Sequence, residues 1–272
     1  MDAEMVRRGM VPSREAARRL IVDRQVLVGG SFADKPARLV ATDQAITLAA
    51  PPPPYVSRAG QKLAGALDAF AVDPSDLYCL DAGSSTGGFT DCLLQRGAKR
   101  VVAVDVGTNQ LHERLRADPR VDVREQTDIR SVSPSEFKQP FDLVAGDLSF
   151  ISLRLVLPAL AQLVAPGGQL LLLVKPQFEA GRREVSRGKG VITDPDIWRT
   201  TSAAVLSAAI DVGLTPHGLV PSSIRGTRGN VEFVAWLIKQ PSTISDNPDV
   251  DAMVDAAVAR ASVAVRQEAE HQ

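Results

Sequence analysis

The chain has 272 residues, a formal net charge of −1 and only 4% aromatic residues, which suits one large α/β core with a small companion domain. So balanced a charge excludes a globally basic nucleic-acid binder, and any cationic face has to be local. Two cysteines and three histidines, none at ligand spacing, exclude a disulfide framework and a zinc cluster, so no metal site is expected.

Residues 1–50 read as a unit of their own. Asp2 to Gly9 and Ser13 to Asp23 are predicted helices, with Gly9 as the stop and Ser13 as the cap. Gln25–Val28 and Gln44–Leu48 are predicted strands flanking the Gly29-Gly30 turn and a connecting loop. Arg7 with Arg8, and Arg14 with Arg18, lie on helix faces from which several can point at one polyanion; the alternative is ordinary solvated charge. The order of elements resembles the S4-like RNA-binding domain first known from a small-subunit ribosomal protein. Pro12-Ser13-Arg14-Glu15-Ala16-Ala17-Arg18-Arg19-Leu20-Ile21 and then Gln25-Val26-Leu27-Val28-Gly29-Gly30 carry the resemblance. It implies RNA binding by Arg7, Arg8, Arg14 and Arg18. Two departures are Gly29, where that family often has asparagine, and a start almost at the first helix.

Residues 51–56 form a proline-rich linker, a semi-rigid spacer that cannot donate to a sheet. The segment from Tyr55 leads into a helix ending near Phe70, with Leu63, Ala66, Leu67 and Phe70 at helical spacing. Lys62 stands near its start, where a cation opposes the helix dipole; it is either functional or simply solvated.

From Asp76 onward, apolar runs alternate with helical segments, the pattern of a Rossmann-like, doubly wound and mostly parallel sheet. Strands are expected at 77–81, 101–105, 121–124, 142–147 and 169–174, with helices over 88–97, 108–117, 152–164 and 194–212. Two last strands, at 218–220 and 230–238, close a domain spanning 57–240. The tail, 241–272, is polar and then helical from about Val250 to Gln267. No leader-like segment or membrane-length apolar run is present, so a cytoplasmic protein is expected.

The densest chemical signal is Leu80-Asp81-Ala82-Gly83-Ser84-Ser85-Thr86-Gly87-Gly88-Phe89-Thr90, a strand passing through a glycine loop into a helix start. No lysine follows Gly88, so a phosphate-cradling loop is disfavoured. Asp81 favours a ligand with an amine or positive charge, such as S-adenosylmethionine, while a bare turn and a dinucleotide site stay open. Asp105 ends the next strand about twenty residues beyond the loop, where an acid accepts from ribose hydroxyls. Asp128 lies beside the expected adenine site or merely caps a helix. Asp147 and Lys175 end further strands, at a cofactor mouth or as a buried ion pair, and Glu232 sits mid-strand in an apolar context that demands a partner.

Lys62, Asp147, Lys175 and Glu232 match, in order and context, the Lys-Asp-Lys-Glu tetrad of the FtsJ-like ribose 2′-O-methyltransferases. Ser57-Arg58-Ala59-Gly60-Gln61-Lys62-Leu63, the Asp81–Thr90 loop, Asp147-Leu148-Ser149-Phe150-Ile151-Ser152 and Val174-Lys175-Pro176-Gln177-Phe178-Glu179 resemble the TlyA family, whose members are also labelled haemolysins. The resemblance covers nearly everything before Pro241. It implies a class I methyltransferase fold, S-adenosylmethionine as cofactor, and 2′-O-methylation of cytidine in ribosomal RNA of one or both subunits. Asp81, Gly83, Ser84, Ser85, Thr86, Gly87, Gly88, Phe89, Asp105, Asp128 and Asp147 would then hold the cofactor. Lys175 would be the general base and Asp147 and Glu232 would orient the two lysines.

Arg182, Arg183, Arg187 and Lys189, and later Arg225 and Arg228, are placed to clamp RNA phosphates or are loop charge. Phe150 either stacks on an extruded base or packs in the core. Ribosomal RNA is the expected partner and a monomer the expected state. The competing readings are an inactive RNA-binding assembly factor, against which the four retained residues argue, and a membrane-lytic protein, for which no apolar span or basic amphipathic helix speaks.

Overall fold

The structure, a computed structural model, describes residues 1–23, 25–33, 35–49, 53–181, 184, 186, 188, 190–240 and 249–270. It divides into two units, Met1–Pro54 and Tyr55–Gln272.

In the small unit, helices α1 (Asp2–Arg7) and α2 (Arg14–Val22) pack on strands β1 (Val26–Val28), β2 (Ser31–Phe32) and β3 (Ile46–Leu48). Ser13 caps α2, its Oγ accepting from Ala16 N at 3.1 Å. Met5, Ala17, Leu20, Ile21, Val26 and Val28 form the core. β1 is central and antiparallel to both neighbours. Gly29 and Gly30 have φ of +59° and +84°, the left-handed pair that a two-residue hairpin turn requires. β2 was not expected, because two exposed residues carry no alternation to read.

The large unit is built on a seven-stranded sheet. Its strands are β4 (Tyr78–Ala82), β5 (Arg100–Val104), β6 (Val121–Arg124), β7 (Phe141–Gly146), β8 (Val164–Val174), β9 (Leu214–Pro221) and β10 (Phe233–Lys239), in the order β6-β5-β4-β7-β8-β10-β9. β4 to β8 are parallel and β10 is antiparallel to both its neighbours. Helices α3 (Ala59–Phe70), α4 (Gly88–Gln95) and α5 (Glu113–Arg116) bury their apolar residues against one face. Helices α6 (Leu157–Leu163), α8 (Pro195–Asp211) and α9 (Val250–Glu270) cover the other, with the short α7 (Pro176–Glu179) following β8. Burial on both faces explains the unbroken apolar runs of the central strands. Chain order reverses between β4 and β7, so a crevice opens beyond their carboxyl ends.

The structure departs from the sequence reading at several elements. The helix expected over 152–164 is a 3-10 turn, Leu153–Leu155, followed by α6, because Pro158 has no amide hydrogen and obstructs the preceding turn. The helix expected over 108–117 shrinks to α5, because the Glu125 carboxylate gathers the amides of Asn109, Gln110 and Leu111 into a loop. Burial opposes ionisation there, but those amides and Arg116 outweigh it and hold Glu125 at about 2. β9 starts at Leu214, earlier than expected, and β10 starts at Phe233, so Glu232 precedes its strand instead of sitting within it. The expected C-terminal helix forms and packs on the sheet: Val254, Ala257, Val258 and Ala261 are buried in the large core. The Ala50–Pro52 part of the expected spacer and residues 241–248 lie outside the described residues.

Candidate active site

The site begins where β4 ends. Gly83 and Ser84 donate to Val104 O, at 2.9 and 3.1 Å, tying the loop to β5. Gly83 and Gly87 have φ of +84° and +95°, conformations only glycine adopts without strain. A Cβ on Gly83 would lie 3.0 Å from Asp147 O, so this glycine also lets the loops after β4 and β7 meet. Gly88 does the same for helices: a Cβ there would strike Ser57 Oγ and come within 2.9 Å of Gly60 N, at the start of α3. That close approach carries Lys62 on α3 to the cleft.

Asp81 is fully buried beneath the loop and accepts from Thr90 N at 2.9 Å and Thr90 Oγ1 at 2.6 Å. Its other oxygen, Oδ1, has no hydrogen-bond partner among the described residues. Burial pushes this carboxyl up to about 7 against the Thr90 hydrogen bonds. An orphaned acceptor of this kind suits a donor brought by a ligand. Asp105 accepts from Ser85 N at 2.8 Å and Gly107 N at 2.7 Å, one on each oxygen. A carboxylate has about four acceptor sites, so ligand hydroxyls remain within its capacity.

Four charged side chains converge from four segments. Lys62 Nζ lies 2.6 Å from Glu232 Oε2 and 3.8 Å from Asp147 Oδ2. Lys175 Nζ lies 2.5 Å from Asp147 Oδ1 and donates to Ser149 Oγ at 2.8 Å. Gln177 Nε2 donates to Glu232 Oε1 at 3.1 Å. Lys62, Lys175 and Glu232 are buried. The chain Lys175–Asp147–Lys62–Glu232–Gln177 therefore pairs two cations with two anions, which makes it electrically neutral.

These four residues share the wall of a cleft of about 850 Å³ with Gly83, Ser84, Ser85, Thr86, Phe89, Phe150, Arg225 and Arg228. Such a volume admits a nucleotide-sized ligand. Phe150 is 90% exposed with φ +62°, its ring centroid 5.2 Å from that of Phe178, so the core alternative is removed. Arg225 pairs with Glu268 of α9 at 2.7 Å. Asp81, Gly87, Gly88 and Asp105 stand behind the wall and shape it.

Asp128 has the cap geometry that was its alternative reading: its Oδ1 accepts from Arg130 N at 2.9 Å and its Oδ2 pairs with the Arg130 guanidinium at 2.6 Å. The carboxylate acts as a local cap. Arg8 differs from the expected outward-pointing cation. Its guanidinium binds Glu4 at 2.8 Å and the carbonyls of Ala41, Thr42 and Gln44, so it braces the small unit instead of facing outward. Arg7 pairs with Glu4, while Arg14 and Arg18 converge on buried Asp2 at 3.1 Å each and remain largely exposed. Arg182, Arg183, Arg187 and Lys189 lie outside the described residues.

Residues 55–239 match the FtsJ-like methyltransferase family and residues 2–46 match the S4 domain. The 16S/23S rRNA (cytidine-2′-O)-methyltransferase TlyA of Mycobacterium tuberculosis is 46% identical over 241 residues, 88% of this chain and 90% of that protein. The chain belongs to the TlyA family of FtsJ-like methyltransferases. Hemolysin A of Brachyspira hyodysenteriae is 40% identical over 68% of this chain and 77% of its own length. A solved chain from Streptococcus thermophilus, described provisionally as a haemolysin, aligns with a TM-score of 0.78 at 40% identity, covering 99% of this chain and 97% of that one.

Within the motifs and beyond them, the structure gives contacts to several residues that sequence reasoning left without a role in this TlyA-family cleft. Ser149 and Gln177 contact the tetrad directly. Asn230 bridges the cleft loops, accepting from Ile192 N at 2.8 Å and donating to Gly190 O at 2.9 Å. Buried Glu179 accepts from Ser152 Oγ at 2.5 Å and Leu153 N at 2.6 Å, pinning the far end of the loop after β7. Ser149 stands two places after Asp147, but its partner Lys175 is 26 residues further on. The other contacts join segments distant in sequence and leave no local signal. None of the described helices is long and apolar enough to cross a membrane.

Proposed function

We propose that this protein methylates the 2′-oxygen of cytidine in ribosomal RNA of the small or large subunit, with S-adenosylmethionine as methyl donor and the small unit gripping the RNA. The observation that carries the reading is the buried Lys175–Asp147–Lys62–Glu232 chain opening beside the glycine loop.

The residues present fit the cofactor: Asp81 Oδ1 offers an acceptor for its amine, Asp105 retains acceptor capacity for its ribose hydroxyls, and Gly83, Ser84, Ser85, Thr86 and Phe89 line the cleft beside them. When bound, S-adenosylmethionine supplies an electrophilic methyl on its sulfonium. The protein positions the acceptor hydroxyl and removes its proton. Lys62 is flanked by two carboxylates, whereas Lys175 has one carboxylate and a neutral hydroxyl. Lys62 is thus engaged by carboxylates on two sides, and Lys175, with a hydroxyl in place of the second carboxylate, is the residue to accept the 2′-hydroxyl proton. Asp147 bridges both lysines and Glu232 fixes Lys62. Phe150, exposed at the rim, offers a face for the extruded cytosine, and Arg225 and Arg228 offer charge for flanking phosphates.

The test is to incubate the purified protein with labelled S-adenosylmethionine and each ribosomal subunit or the intact ribosome, and map the modified nucleotide. The expected product is a 2′-O-methylcytidine. Absence of transfer to all three would defeat the reading and favour an assembly factor. Such an enzyme works in the cytoplasm, where its substrate resides.

A further inference from the structure

We propose that Ser149 is a positioning residue that aims the Lys175 lone pair at the acceptor hydroxyl; the proposal rests on the reading of Lys175 as general base. Ser149 follows β7 and is exposed in the cleft, and its Oγ accepts from the buried Lys175 Nζ at 2.8 Å. Asp147, two residues earlier, takes a second direction of the same nitrogen at 2.5 Å. A tetrahedral lysine nitrogen bonds one carbon and has three further directions. As a neutral amine it carries two hydrogens and one lone pair. Asp147 and Ser149 claim both hydrogens, so the lone pair occupies the single remaining direction. The Phe178 ring centroid is 5.6 Å away, too far to hydrogen-bond, and only walls the nitrogen.

The loop that carries both acceptors is held at its two ends. Asp147 N donates to Ala82 O at 3.1 Å, and Glu179 anchors Ser152 and Leu153. Between them Phe150 is held at φ +62°, a left-handed conformation unusual for an aromatic residue. The turn leaves the Ser149 hydroxyl on Lys175 and the Phe150 ring exposed. Without the hydroxyl, the amine rotates about its Cε–Nζ bond while keeping Asp147, and its lone pair faces the acceptor for only part of the time. In the reaction the 2′-oxygen bonds the methyl carbon as that carbon leaves sulfur, and the hydroxyl proton passes to Lys175, giving an ammonium and a neutral thioether product.

The experiment compares Ser149→Ala and Ser149→Thr with Lys175→Ala, using ribosomal subunits as substrate. The expected result for Ser149→Ala is a kcat lowered about 3- to 10-fold, the rate equivalent of one ordinary hydrogen bond, with KM and S-adenosylmethionine affinity unchanged. The deficit persists to the alkaline plateau of the pH–rate profile, because aim is lost rather than charge. Ser149→Thr restores kcat to within about twofold. The proposal is overturned if Ser149→Ala retains wild-type kcat, if its deficit vanishes at alkaline pH, if the loss falls on KM, or if threonine does not rescue. Inactive Lys175→Ala beside fully active Ser149→Ala would sink this inference alone, whereas fully active Lys175→Ala would sink the general-base reading itself.

Discussion

Lys62 Nζ donates to Glu232 Oε2 at 2.6 Å, a buried ion pair between residues 170 positions apart in the chain. One partner comes from α3 and the other from the segment before β10, so the pair exists only once the whole sheet has closed. Removing one member leaves an uncompensated buried charge. Glu232→Ala is therefore expected to lower unfolding free energy by about 3 kcal/mol, and Lys62→Met combined with Glu232→Leu to recover much of that stability without recovering methyl transfer. Denaturant unfolding and the methylation assay, run on the same preparations, separate the two effects; a double variant no more stable than Glu232→Ala would refute the account.

Lys175→Ala is expected to lower kcat by about 100-fold or more while S-adenosylmethionine still binds, since general-base catalysis is typically worth that much and the glycine loop is untouched. Calorimetric titration of the cofactor and single-turnover methylation provide the check. An equal loss of cofactor affinity would show that Lys175 serves binding.

Asp81 gives a dependence on pH. Burial raises its carboxyl to about 7, so between the ordinary value of 3.8 and about 7 the folded protein holds a proton that the unfolded chain has released. Stability from this group is complete below pH 3.8 and is lost as pH rises through 7. Asp81→Asn keeps an acceptor for Thr90 and removes the titration, so its stability relative to the wild type should rise across that window. Parallel unfolding curves for the two proteins from pH 4 to 8 would contradict the assignment.

Gly88→Ala should harm activity more than its single methyl suggests. The added carbon would sit 2.9 Å from Gly60 N, which is backbone and cannot swing aside, so α3 and α4 must separate and Lys62 must shift. Reduced thermal stability with a lower kcat is expected; unchanged kinetics would mean that the helices tolerate the separation.

In the small unit, Arg14→Ala with Arg18→Ala should weaken ribosomal RNA binding and reduce the slope of log affinity against log salt by roughly 1.5 to 2, as expected for two phosphate contacts. Arg8→Ala should instead lower stability, because it removes a brace to Glu4 and three carbonyls. Salt titrations of binding, beside melting curves, distinguish these outcomes.

The order of strands and helices was legible because each central strand is buried on both faces and spells itself as an apolar run, as in Val101–Val104 and Leu170–Val174. The glycine loop was legible for a related reason: a tight turn into a helix admits few residues besides glycine. Expectations failed where a side chain far along the sequence competed with local propensity. Glu125 drew Asn109 to Leu111 out of a helix. Arg8 read as a free cation because the carbonyls that hold it lie beyond a loop, from Ala41 to Gln44.

At the site the division is similar. Residue types and their order, Lys62, Asp147, Lys175 and Glu232, are local facts that composition and motif carry unaided. Which lysine lies between two carboxylates, that Asp81 keeps an orphaned oxygen, and that Ser149 completes the shell of Lys175 follow from contacts between strand ends. The glycine loop by itself left a ligand site and a bare turn both open, and the relation of Lys175 to Asp147 and Ser149 required β7 and β8 side by side, since hydrogen bonds depend on distances that a linear chain does not contain.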